Sequence, residues 1–207
     1  MFPSTCSVYG RRDEALTEDA DLAPLSVYGQ TKVEAERRLV GADAVVFRLG
    51  TLFGCGGRFG RFRMDLAVNG MAVRATLDRR VTVYGGEQWR PFLHVRDAAE
   101  AIVVGLTGKP GTYNLVGDNM RLRELAALLS VEVAGLRVDW KDSAENADPR
   151  TYRVIAEKAT RDLGFQASTT VRSGIREILE LVTSGRMVNP DSPRFHNRAT
   201  QLLTWGR

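Results

Sequence analysis

Cysteine is scarce in these 207 residues: only Cys6 and Cys55 are present. Two is too few for a disulfide framework, and they lack the clustered spacing of a zinc site, so reduced thiols are expected. No run of about 18 apolar residues occurs, so hydropathy offers no membrane-spanning helix. The first twenty residues carry Arg11, Arg12, Asp13 and Glu14 where a secretory leader needs its apolar stretch. The expectation is a soluble, cytoplasmic protein with no membrane partner. Lysine is rare too, limited to Lys32, Lys109, Lys141 and Lys158, so nearly all positive charge is arginine. The net charge of +4 comes from 29 basic residues interleaved with 25 acidic ones. No basic stripe with aromatic partners emerges, and nucleic acid is not an expected partner. Also missing is a G-x-G-x-x-G or G-x-x-G-x-x-G turn after an apolar strand, the phosphate cradle of a dinucleotide fold. The glycines of "GCGGRFG" at 54–60 do not open a helix at that spacing, and we read them as a chance match or a substrate loop.

What is present alternates strand and helix, the pattern of a parallel α/β sheet; 43% apolar content is ordinary for a globule with a sizeable core. "STCSVYG" leads through a polar, acidic loop to a helix opened by Pro24 and running from about Leu25 to Val40. Apolar "AVVFRL" at 44–49 predicts a strand buried on both faces. Helical spacing through Phe62, Leu66, Val68 and Met71 predicts a helix over 59–75. "VTVYGG" and "FLHV" predict strands on either side of Trp89 and Arg90. Asp97 is expected to cap a helix reaching Leu106. "TYNLVG" is a further strand, "RLRELAALL" an amphipathic helix, and "LRVDW" another strand. A loop over 141–150, helices around 154–163 and 171–183, and a tail ending in a short helix, "ATQLLTW", complete the chain.

Tyr28 and Lys32, in "SVYGQTK", stand four apart on the first predicted helix, which puts both side chains on one face. Phenols ionise near pH 10 and are poor bases at neutrality; an adjacent ammonium favours the phenolate, which makes such a pair suited to proton transfer. Five tyrosines and four lysines produce this spacing by chance roughly one time in ten, so the pair alone proves little. His94 lies among apolar neighbours in "FLHV" and reads as a structural histidine satisfied by hydrogen bonds.

The ordered series "STCSVYG", "PLSVYGQTKVEAE", "VVFRLGTLFG", "WRPFLHVRDAAEAI", "GTYNLVGD" and "LGF" resembles the extended short-chain dehydrogenase/reductases, specifically the NAD-dependent nucleotide-sugar epimerases and dehydratases. The resemblance covers Ser4 to about residue 183. It implies a partial Rossmann-like parallel sheet, later strands only, with a carboxy-terminal substrate-binding α/β subdomain. The implied division is 1–58 for the dinucleotide-binding remnant carrying the Y-x-x-x-K helix, and 59–183 for the substrate subdomain, interleaved with later Rossmann elements at about 92–118. Residues 184–207 form a tail. It further implies that roughly the first hundred residues of a family member, with the glycine turn and four strands, are absent here. NAD or NADP is the implied cofactor, the 207 residues alone being expected to bind it weakly or not at all. The implied partner is a nucleoside diphosphate sugar, with a homodimer as the assembly.

By the same resemblance Tyr28 is the base toward the sugar's 4-hydroxyl, Lys32 holds the nicotinamide ribose, and Thr5 hydrogen-bonds the reacting oxygen, with adjacent Ser4 as the second candidate and a strand-end hydroxyl capping a turn as the structural alternative for Thr5. Arg90, in "QWRPFLHV", is implied to meet the pyrophosphate, for which a planar guanidinium is suited; Arg58, Arg63 and Arg150 are further candidates for that anionic site. Family members place asparagine in "R-x-x-N-x-x-G", whereas Thr51 stands at that position here. Dehydratases carry "TDE" where this chain reads Thr5, Cys6, Ser7, and elimination of water needs an acid and a base beyond the tyrosine. The expectation is therefore an epimerase-type reaction through oxidation and reduction at sugar carbon four, with a 4-ketoreductase as the alternative. A reading of another class takes the chain as an inactive remnant of such an enzyme, or one whose start is misassigned.

Overall fold

The computed structural model describes residues 1–57, 60–142 and 148–197. Its centre is a parallel sheet of β1 (Phe2–Thr5), β3 (Val45–Leu49) and β7 (Gly111–Leu115), in the order β1-β3-β7. Thr5 stands opposite Leu49, and Leu49 opposite Leu115, so all three strands end level. Val45, Val46 and Phe47 are buried as a two-sided strand requires. The strand also buries Arg48, a charge that must be paired to be tolerated there. One face of this sheet packs on α3 (Val95–Gly105) and α5 (Glu157–Leu163) through Phe47, Leu93, Ala101, Tyr113 and Ala159.

A second and larger core gathers around α2 (Ala67–Asp78), α4 (Leu122–Glu132) and α6 (Val171–Thr183). Beside it stand β4 (Thr51–Phe53), β6 (Trp89–His94) and β8 (Asp118–Arg121) as a mixed sheet. β5 (Arg80–Tyr84) pairs in parallel with β9 (Arg137–Lys141). The acidic loop after β1 is more ordered than its composition suggested. It forms a 3₁₀ turn over Cys6–Tyr9 and then β2 (Arg11–Leu16), which pairs in parallel with β10 (Thr151–Val154).

Several element boundaries differ from expectation for local reasons. The tyrosine-bearing helix α1 runs Val27–Arg38, because Ser26 rather than Pro24 sets its start: the Ser26 hydroxyl accepts from the Gly29 amide at 3.1 Å. The helix expected over 59–75 begins only at Ala67, since Leu66 is still extended. Trp89 and Arg90 lie inside β6 rather than ahead of it. Asp97 does not cap its own helix. His94 does, accepting the Arg96 amide on Nδ1 at 3.1 Å, while the Asp97 carboxylate takes the amides and hydroxyls of Ser168 and Thr169. The short helix expected in "ATQLLTW" lies outside the described residues.

Candidate active site

Ligands of open parallel sheets bind beyond the carboxyl ends of the strands, and Thr5 is the last residue of β1. Its hydroxyl caps the 3₁₀ turn, accepting the Ser7 amide at 3.2 Å, and lies 2.6 Å from the Ser7 hydroxyl. The two hydroxyls thus form a short chain at the sheet's edge. Cys6 points the other way, buried, with its thiol donating to the Arg48 carbonyl at 3.1 Å; burial pushes its ionisation far above the ordinary thiol range.

Helix α1 lies against this turn. A β-carbon added to Gly29 would come within 3.3 Å of the Ser7 carbonyl oxygen, so the helix start seats directly on the Thr5 segment. Tyr28 is 54% exposed, its phenol accessible to a ligand. Lys32, one turn on, donates to the Pro3 carbonyl at 2.8 Å and places its ammonium 4.7 Å from the Phe2 ring centre and 5.8 Å from that of Tyr28. The helix therefore brings Tyr28 and Lys32 to the strand that carries Thr5.

Two of the expected arginines are each held by a neighbouring aspartate. Arg63 holds Asp65 through two 2.6 Å bonds, which raise its ionisation; Arg150 holds Asp148 bidentately with the same consequence. Arg90 is placed differently. It is buried, and its guanidinium donates to the carbonyls of Trp89 and Arg150 and pairs with Asp148 at 3.2 Å. Burial lowers its ionisation below the ordinary arginine value despite Asp148. Arg90 and Arg150 thus share Asp148, which Arg150 holds in its ionised form against the cost of burial. Thr51 opens β4 opposite Phe92, on a different sheet from Thr5. Arg58 lies outside the described residues.

The sequence reading missed a buried polar cluster behind α1. Arg48 binds Oε2 of Glu36 through two nitrogens at 2.8 and 3.1 Å and reaches Oε1 at 3.3 Å, and Ser4 donates to the same carboxylate. Arg48 also donates to the Tyr9 hydroxyl and the Glu18 carbonyl, each at 2.9 Å; the Tyr9 hydroxyl lies 2.7 Å from Asn114 Oδ1. Burial disfavours the Arg48 charge, but Glu36 and Tyr9 overcome that and raise its ionisation. The signal was available: one arginine inside an apolar strand, and a glutamate continuing the four-residue spacing of Tyr28 and Lys32.

Fold and site together define a dinucleotide-type α/β protein with a Tyr-x-x-x-Lys helix at the carboxyl edge of its sheet. The chain belongs to the NAD dependent epimerase/dehydratase family, which its residues 1–115 match. Among curated relatives, a UDP-glucose epimerase of Bacillus subtilis, itself described as uncharacterized, is 27% identical over 200 residues, covering 89% of this chain and 60% of that protein. The dTDP-glucose 4,6-dehydratase of Neisseria gonorrhoeae is 31% identical over 201 residues, 86% of this chain and 57% of that one. The structure of MoeE5 with UDP-glucuronic acid and NAD superposes with a TM-score of 0.74 at 29% identity, over 88% of this chain and 64% of MoeE5. The chain thus spans about three-fifths of the length of the relatives it matches.

Proposed function

We propose that this protein acts on a nucleoside diphosphate sugar by epimerase-type chemistry, oxidation and reduction at sugar carbon four, with Tyr28 as the proton-transferring group. The observation that carries the reading is the seating of Tyr28 and Lys32 against the strand end bearing the Thr5 and Ser7 hydroxyls. NAD is the cofactor the reading requires, and bound it would supply reversible hydride transfer. The residues present fit its nicotinamide end: an accessible phenol and an ammonium one turn apart suit the hydroxyls of a ribose. Toward the sugar, Tyr28 takes the proton of a hydroxyl and returns it. Thr5, oriented by its bonds to Ser7, holds the oxygen that loses that proton. Arg63, Arg150 and Arg90 supply positive charge for the pyrophosphate, Arg150 being the most available of the pair that shares Asp148. MoeE5 was solved with UDP-glucuronic acid and with UDP-glucose, which supports sugars of that class as first substrates to try.

The test is incubation of the protein with UDP-glucose or UDP-glucuronic acid and millimolar NAD, products being followed by NMR. The expected result is the 4-epimer, formed without net cofactor consumption and lost in Tyr28→Phe. Accumulation of a 4-keto-6-deoxy sugar, or a product requiring one reduced cofactor per turnover, would refute it; the latter is the mark of a 4-ketoreductase.

A further inference from the structure

Helix α1 has little apolar surface with which to hold its place. Its buried residues are Gly29, Val33 and Glu36, so on the stripe facing the protein one valine is the sole large apolar side chain. Lys32 adds a single bond to Pro3. The strongest attachment is Glu36, two turns beyond Tyr28 on the same side of the helix. Its carboxylate is clasped by Arg48 from β3 and by Ser4 from β1, with Glu36 and Arg48 side chains only 8% and 7% exposed. Ser4 is the residue before Thr5. Arg48 in turn holds Tyr9, the last residue of the turn that Thr5 caps. One ion pair therefore touches the Thr5 strand, its turn, and the helix of Tyr28 and Lys32.

We infer that Glu36 and Arg48 are positioning residues, which set the Tyr28–Lys32 face of α1 against the end of β1. The inference rests on the proposed role of Tyr28 for its catalytic meaning, but its structural content can be tested separately. Glu36 and Arg48 are buried while Tyr28 is 54% exposed, so they act through the helix.

The experiment compares the full chain with Glu36→Gln, which keeps the shape and removes the charge, and with Ser4→Ala, which removes one bond to the carboxylate and leaves the ion pair. Amide hydrogen exchange is read over α1 and, as an internal standard, over α6. The Glu36→Gln variant is expected to exchange at least about tenfold faster in α1, with α6 within about twofold of wild type; Ser4→Ala shifts α1 in the same direction by less. The NMR contact between the Lys32 side chain and the Phe2 ring weakens in parallel. Equal acceleration in α1 and α6, or unchanged α1 exchange, overturns the inference; should Glu36→Gln fail to fold, Ser4→Ala decides by the same criteria. Where wild type turns over a nucleotide sugar, kcat of the variant falls at least about tenfold with KM within about twofold, and an unchanged kcat beside a loosened α1 also overturns it. A wild type with no turnover would count against the proposed function and leave the exchange result standing.

Discussion

Two tyrosine-to-phenylalanine substitutions remove the same atom and should have opposite effects. Tyr9 is fully buried, and its hydroxyl accepts from Arg48 at 2.9 Å and stands 2.7 Å from Asn114 Oδ1. Phenylalanine there strands an acceptor on Asn114, takes a donor from the Thr17 carbonyl, which keeps the Ala20 amide, and takes one acceptor from Arg48, which keeps the Glu18 carbonyl. An unsatisfied buried polar group costs about 1–3 kcal/mol, so with one partner fully and two partly stranded Tyr9→Phe should lose about 2–3 kcal/mol. Tyr28 is 54% exposed, with its ring lying under the Lys32 ammonium, a contact phenylalanine preserves. Tyr28→Phe should therefore change stability by less than about 0.5 kcal/mol, while turnover falls by about 10²–10⁴ through loss of the proton carrier. Urea unfolding gives the first quantity. With a slope near 2 kcal/mol/M, Tyr9→Phe moves the midpoint down by about 1 M and Tyr28→Phe leaves it in place. A midpoint shift for Tyr28→Phe as large as that for Tyr9→Phe would mean that the exposed phenol is structural. The division of labour argued for the two tyrosines would then fail.

Gly54 has φ +95°, and a β-carbon there would lie 2.0 Å from Nε2 of His94, which is buried and bonded to Glu177 at 2.9 Å. Backbone strain and overpacking together should make Gly54→Ala unfold about 3–5 kcal/mol more easily, checked by urea titration. Burial, with Glu177 adding to it, pushes the Cys55 thiol from 9.0 up to about 11. At pH 8 the native chain should alkylate at Cys55 about a hundredfold more slowly than the unfolded chain, as mass spectrometry of iodoacetamide-treated protein would show. Because the folded thiol keeps its proton to higher pH, this contribution to stability is complete below pH 9 and declines as pH rises toward 11.

The α/β class was legible because buried strands such as Val45–Leu49 and amphipathic helices such as Val171–Thr183 announce themselves by periodicity. What escaped was fixed by contacts distant in sequence. β2 reads "RRDEAL", with no apolar alternation, and is a strand because β10 pairs with it from 140 residues away. The capping role given to Asp97 failed for the same reason: the amides of Ser168 and Thr169, brought in by the α6 segment, compete for its carboxylate. In the site, spacing along one helix found Tyr28 and Lys32, whereas the geometry of Arg90 depended on Asp148 and Arg150, outside any local pattern. Glu36 and Arg48 lie between these cases. Each was conspicuous for its position, and only the fold shows that they meet.

Relatives on both sides of the epimerase/dehydratase division match this chain at similar identity, so likeness alone cannot choose between the two reactions. Local chemistry favours one of them. Elimination needs an acid and a base beside the tyrosine. At the two positions after Thr5, Cys6 is buried against the Arg48 carbonyl with its ionisation pushed up, and Ser7 offers a hydroxyl already engaged with Thr5. Asp65 is bound at both oxygens by Arg63, one of the arginines proposed for the site. Burial works against its charge, but Arg63 prevails and holds its ionisation below the usual carboxylate range, which makes it a poor proton donor. On the proposed reading, moving one proton at one hydroxyl needs only Tyr28, with Lys32 beside it. That is the requirement of oxidation and reduction at a single carbon, and elimination across two carbons asks for groups these positions do not provide.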